Sequence, residues 1–109
     1  MIADAHLDLL LELAHRELRR GETGTFARHW LPKLRAGGLG LQVCALYADP
    51  GTDARAEVLG QIEVFERALA QNPDDVVAVR SRADLDDPRL GLMLALEGCD
   101  ALGGDPGAL

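Results

Sequence analysis

The sequence predicts an α/β fold built on parallel strands, and three observations carry that prediction. Apolar residues alternate with polar or small ones at period two over residues 2–8 and 39–47. They run almost unbroken over residues 90–96, as in a strand covered on both faces of a parallel sheet. Between and after the first two stretches the apolar period switches to that of a helix. Strands that alternate with helices pair in parallel, because each crossover helix returns the chain to the same end of the sheet.

The elements follow in order. Ile2-Ala3-Asp4-Ala5-His6-Leu7-Asp8 reads as a short strand. From Leu9 to Arg20, Leu7, Leu11, Ala14 and Leu18 fall at helical spacing, with Glu12, Arg16 and Arg19 opposite. Arg19-Arg20 suit the negative end of the helix dipole and Gly21 ends it. Residues 21–38 read as a loop with a short helix at Leu31–Arg35, closed by Gly37-Gly38. The clearest strand is 39–47, broken by Asp49-Pro50-Gly51. A helix spans about Asp53–Ala70, capped by Thr52 or Asp53, with Val58, Ile62, Phe65 and Leu69 as its apolar stripe and Glu63–Arg67 paired outside. Asn72-Pro73 stops it. Val76–Val79 is a short strand, Ser81–Asp87 a turn, and Leu90–Leu96 the last strand before glycine-rich chain.

Composition excludes several functions. The 109 residues are 48% hydrophobic and 27% charged, a globular and not a disordered balance. Eleven basic against 18 acidic residues leave a net charge of -7. That argues against nucleic-acid partners and anionic membrane surfaces, both of which need a basic face. No apolar run is long enough to span a bilayer. No secretory leader is expected, because the opening residues carry Asp4, His6 and Asp8 and no basic cluster. Cys44 and Cys99 form neither a disulfide framework nor a zinc knuckle, so a reduced, cytoplasmic setting is expected.

The chain reads as one domain, 1–109, with no second domain. A closed barrel of eight parallel strands needs about 250 residues. The pattern therefore predicts an incomplete α/β barrel with one edge of its apolar last strand uncovered.

Two strand ends carry candidate chemistry. His6 and Asp8, two apart on a strand, share a face and can reach one metal ion; the alternative is an ordinary hydrogen-bonded strand end. His15-Arg16-Glu17 matches the same pattern on a helix, where residues two apart diverge by roughly 200° and cannot chelate. His15 and His29 are expected at the surface. Glu97 ends the last strand, on the face of Gly91, Met93 and Ala95, while Leu92, Leu94 and Leu96 suit packing under helices. Ile2, Asp4, His6 and Asp8 share a face by the same alternation. Both strands thus present polar groups inward at their C-terminal ends, where parallel barrels keep their catalytic groups. A carboxylate buried there needs a cation or proton; the alternative is a carboxylate that binds loop amides. Gln42, inside its strand, must be hydrogen-bonded as a buried amide.

These residues resemble a known family. Asp4-Ala5-His6-Leu7-Asp8 resembles the D-x-H-x-D opening of the membrane (renal-type) dipeptidases, peptidase family M19. Leu34-Arg35-Ala36-Gly37-Gly38-Leu39-Gly40-Leu41-Gln42 resembles that family's L-x-x-G-G-x-G-x-Q segment, and Leu94-Ala95-Leu96-Glu97-Gly98 its x-x-x-E-G strand end. The three motifs span nearly the whole chain, which corresponds to about the first third of a family member.

The resemblance implies the N-terminal portion of a TIM-like (β/α)8 metallohydrolase barrel and a zinc-dependent dipeptidase. His6 and Asp8 would bind the first of two zinc ions and Glu97 would bridge both. The nucleophile would be metal-bound water, acidified towards a pKa of about 7. The histidines completing the second zinc site and the groups holding the dipeptide substrate match nothing here and are expected beyond Leu109. Asp4 and Gln42 are structural, or support the ligands from behind. The resemblance assigns no ligand role to Cys44 or Cys99, which are expected as small buried residues. A homo-oligomer is compatible with this reading. The alternatives are a non-catalytic truncated barrel fragment and another amidohydrolase-like metal-dependent hydrolase. Many of the latter open with H-x-H, so His6-x-Asp8 favours the dipeptidase.

Overall fold

A computed structural model describes residues 1–108 of the chain; Leu109, the last residue of the expected domain, lies outside them. Four parallel strands, β1 (Ile2–Leu7), β2 (Leu39–Leu46), β3 (Val76–Ala78) and β4 (Leu90–Leu96), form one sheet in the order β1-β2-β4-β3. Helix α1 (Leu9–Ala14) continues into a π-helical turn, His15–Arg19. A second such turn, Phe26–Trp30, runs into α2 (Leu31–Ala36), and α3 (Ala54–Gln71) crosses from β2 to β3. Single turns of 3₁₀ helix, Arg82–Asp86 and Asp100–Leu102, flank β4. The mixed α/β class and the parallel sheet agree with the sequence pattern.

The helices cover one face of the sheet. Leu9, Leu10 and Leu13 of α1, Leu31 and Leu34 of α2, and Val58, Val64, Phe65 and Ala68 of α3 enclose Cys44, Leu46, Leu90 and Leu92 from the strands. Fully burying a leucine stabilises by about 1.5–3 kcal/mol, whereas an exposed ion pair contributes about 1 kcal/mol or less. The surface pairs Arg16–Glu12 (2.8 Å) and Arg67–Glu63 (2.7 Å) are therefore secondary to the leucine layer. Asp53 caps α3 by accepting the Ala56 N–H at 3.1 Å, and Asn72 closes it by donating to the Ala68 carbonyl at 2.9 Å. Both follow the turn chemistry of the sequence.

Three expectations are corrected. The buried stripe of α1 is Leu9, Leu10 and Leu13, continued by Glu17, and Leu18 is exposed. Seven leucines and alanines within residues 7–18 support more than one helical stripe, and the π-helical turn rotates Leu18 outward. On α3 the buried set is Val58, Gln61, Val64, Phe65 and Ala68, with Ile62 and Leu69 only half-buried. Finally, β4 is not buried on both faces: Leu90, Gly91 and Leu92 are buried, but Ala95 is exposed and Met93 half-buried, because among the described residues no layer covers the second sheet face.

Gly91 has a packing reason. A Cβ there would lie 2.7 Å from Val79 Cγ2 and 3.3 Å from Leu41 Cδ1, so a side chain would force β3 and its extension off β4. β3 pairs with β4 only through Leu90, Gly91 and Leu92. Among the described residues no strand pairs with Met93–Leu96 on that side. An unpaired apolar edge templates association with another chain. Sedimentation velocity should show the isolated chain self-associating as its concentration rises through the micromolar range, and Met93→Lys should reduce that association. A concentration-independent monomer would count against an accessible edge.

Candidate metal centre

The strand ends bring three side chains together. His6 is the penultimate residue of β1, Asp8 follows that strand directly before α1, and Glu97 follows β4. His6 Nε2 lies 3.3 Å from Asp8 Oδ1 and 3.4 Å from Glu97 Oε2. One donor atom from each of the three lies within 4.8 Å of the others. An imidazole N–H can serve only one of two carboxylates well, whereas a shared cation satisfies both carboxylates and the imidazole lone pair. A tetrahedral zinc about 2.0–2.1 Å from its nitrogen and oxygen donors sets neighbouring donors roughly 3.3 Å apart, so this donor set fits such an ion in type and in the two separations from His6. Among the described residues this is the one cluster of three or more such groups close enough to share an ion.

Sheet register sets this convergence. Leu46 pairs with Leu96 and Leu7 with Cys44, so β2 and β4 end level and β1 ends two residues short of them, at the same end of the sheet. Glu97 N–H donates to the Leu46 carbonyl at 2.9 Å, which extends the β2–β4 ladder one step to Glu97. Gly98 follows at φ +75, a conformation open to glycine, so the chain turns away directly after Glu97. Glu97 is half-exposed and not buried as expected, because the sheet face it shares with Ala95 is open.

Asp4 departs from the expected alternation. Between Asp4 and Leu7 the register shifts, so that Asp4 pairs with Gln42 but Leu7 with Cys44. Three steps of β1 oppose two of β2, as in a bulge, and Asp4 leaves the face that carries His6. Its carboxylate instead accepts the backbone N–H of His6 at 3.1 Å and so fixes the main chain that presents the imidazole. Gln42 is fully buried on the helix side of β2. Its Nε2 donates to the Val43 carbonyl at 3.0 Å and to the Asp4 carbonyl at 3.5 Å, while Oε1 has no partner among the described residues. The expected hydrogen bonding is thus met on the donor side alone.

The remaining candidates lie elsewhere. His15 is exposed on a groove of about 460 Å³ that runs beside Asp8, and His29 is half-buried; neither joins the cluster. Glu17, which a sequence match placed beside His15, is buried and structural. It accepts from the Thr25 hydroxyl and from the Thr25 N–H (3.3 Å), and Arg67 approaches it at 3.4 Å. Sequence reading missed Gln61, whose amide holds the Tyr47 backbone at the end of β2. A glutamine on an amphipathic helix gives no local sign of burial.

Cys44 is buried in the core, as expected, but Cys99 is exposed, because it follows the Gly98 turn off the sheet. Burial, reinforced by the nearby Asp4 charge, pushes the Cys44 thiol up to about 12. Thiolate, not thiol, reacts with disulfide reagents. At pH 8 the folded chain should therefore titrate one thiol, at Cys99, with the second appearing only on denaturation. Two equivalents reacting rapidly in the folded state would contradict the burial of Cys44.

A family-wide sequence model described as membrane dipeptidase (peptidase family M19) matches residues 1–109, the whole chain. Among curated proteins no match is found. The chain belongs to the membrane dipeptidase family, peptidase family M19, whose activity at family level is that of a dipeptidase-type hydrolase.

Proposed function

We propose that the chain carries the first ligands of a zinc-dependent dipeptidase site, with His6 and Asp8 holding one zinc ion and Glu97 shared with a second. The observation that carries this reading is the convergence of His6, Asp8 and Glu97 within 4.8 Å at the C-terminal ends of parallel strands. Family membership supports a dipeptide as substrate. We also read the sheet as part of an eight-stranded α/β barrel. Helices on one face, small residues on the other and polar groups at the C-terminal strand ends support that reading.

Bound zinc would supply Lewis-acid polarisation of the scissile carbonyl and lower the pKa of water. The chain's own residues do the positioning. Asp4 holds the His6 backbone, which aims the imidazole. Two carboxylates beside one imidazole set the charge of the site: they attract a divalent cation and repel a free substrate carboxylate until that cation is present. The net charge of -7 favours the cation in the same sense.

Zinc titration of the folded chain against a chromophoric chelator tests the reading. One zinc should bind, and His6→Ala and Glu97→Gln should each weaken it by more than the roughly 10- to 100-fold typical of losing a ligand's supporting partner. Glu97→Gln keeps the side chain's shape, so its effect reports charge and coordination and not packing. Any dipeptide hydrolysis by the chain should disappear with chelator. Zinc affinity indifferent to both substitutions would overturn the assignment, as would chelator-resistant hydrolysis.

A further inference from the structure

Beyond its ligands, a metal site needs groups that fix where those ligands stand, and one buried residue of the chain has no other visible task. Gln61 is fully buried near the middle of α3, with none of its surface exposed. Both ends of its amide are used on a single residue. Its Oε1 accepts the Tyr47 N–H at 2.9 Å and its Nε2 donates to the Tyr47 carbonyl at 2.6 Å. Tyr47 stands one residue past β2. The pairing of β1 with β2 has already ended at Leu7 and Cys44, so among the described residues no strand reaches Tyr47 from that side. Buried peptide groups must find partners. The Gln61 side chain takes the place that another strand's peptide would occupy.

The Tyr47 N–H belongs to the same peptide plane as the Leu46 carbonyl, and that carbonyl accepts the Glu97 N–H at 2.9 Å. One rigid plane is therefore held at its N–H end by Gln61 and holds Glu97 at its carbonyl end. Hydrogen bonds at the two ends of one peptide polarise each other and strengthen together. Tyr47 and Glu97 also line the same small cavity, of about 50 Å³, with Val58 and Leu96. Val58, like Gln61, is a buried residue of α3, so the helix packs directly behind the strand ends.

We propose that Gln61 is a positioning residue for Glu97. By clamping the Leu46–Tyr47 peptide it sets the Glu97 backbone at the level of His6 and Asp8, and thereby the zinc affinity of the site. The proposal rests on the metal-site reading above. It differs from a packing role in what it predicts, because a packing residue affects the stability of the chain but not the affinity of a folded site.

The test uses the folded chain at concentrations where it is monomeric, with zinc alone as ligand. Gln61→Met keeps the length and loses both hydrogen bonds; Gln61→Asn keeps the amide but is one methylene too short to span both Tyr47 groups. Val64→Ala, a buried truncation on the same helix, is the control for general loosening. In the zinc-free chain, amide exchange at Tyr47 and Glu97 should accelerate in the Gln61 variants and not in Val64→Ala. Zinc affinity should fall about tenfold or more in the Gln61 variants and stay within about twofold in Val64→Ala. If Gln61→Met does not fold, Gln61→Asn carries the same comparison. Folded Gln61 variants that bind zinc as wild type does, while His6→Ala abolishes binding, would overturn the Gln61 proposal and leave the metal site standing. An equal loss in Val64→Ala would overturn it too. Wild-type zinc affinity that ignores His6→Ala would remove the metal reading and this proposal with it.

Discussion

The pairing of β2 with a strand on each side is the interaction on which the rest of the chain depends. β2 pairs with β4 over Leu41–Leu46 on one flank and with β1 on the other, and so joins the two strands whose ends carry the candidate site. Its register with β4, Gln42 to Leu92 through Leu46 to Leu96, puts Leu92, Leu94 and Leu96 under the helices and turns Met93 and Ala95 to the open face. A slip of one residue would exchange those faces, exposing leucines and burying Glu97 among the helices. Burial of Leu90 and Leu92 holds the register energetically, and the same register decides that Glu97 meets His6. The core and the candidate site are therefore two consequences of one alignment.

The buried polar groups show how that alignment is finished where ladders run out. Thr25, Gln42, Gln61, Asn72 and Glu17 are all buried. Each bonds at a break in regular structure. Asn72 takes the last turn of α3, Glu17 the loop at Thr25, Gln42 the carbonyl of Asp4 at the register shift, and Gln61 the peptide after β2. An unpaired buried polar group costs about 1–3 kcal/mol, comparable to burying a leucine, so these side chains weigh as much in the fold as core positions do. Two of the four breaks lie beside strand ends that carry the metal candidates. Residues that complete the sheet thus stand beside the candidate metal ligands.

Much of this was legible in the sequence, because it depends on near neighbours. Period-two stretches gave β1 and β2, and an almost unbroken apolar run gave β4. Asp53 and Asn72-Pro73 bounded α3 to within a residue or so, and His6, Asp8 and Glu97 were recognisable as polar groups at strand ends. What sequence could not carry depends on partners far along the chain. The face of Asp4 changed because the β1–β2 register shifts, and nothing within residues 2–8 encodes that shift. The burial of Glu17 had no local sign, because its partners lie 8 and 50 positions away. Gln61 was invisible for a related reason. Propensity treats glutamine on a helix as neutral, and only the packed α3–β2 interface makes its amide a substitute for a strand.

Exposure imposes a further demand on the site. The side chains of His6, Asp8 and Glu97 are 54%, 57% and 47% exposed, so water screens their attraction for a cation. At 4 Å two unit charges interact by about 1 kcal/mol in water and about 4 kcal/mol at the effective dielectric of a protein surface. Excluding water from this face would therefore strengthen each pairwise attraction several-fold, against the cost of desolvating the two carboxylates. The face around the cluster is suited to being covered: Ala3, Ala5, Val43, Met93 and Ala95 are small or apolar and carry no charge. A cover over these residues would bury apolar surface and, on the proposed metal-site reading, would also change the affinity of the three candidate ligands for an ion. Folding energy and metal affinity are thus coupled at this face. Zinc should stabilise any closed state in proportion to how much better that state binds it.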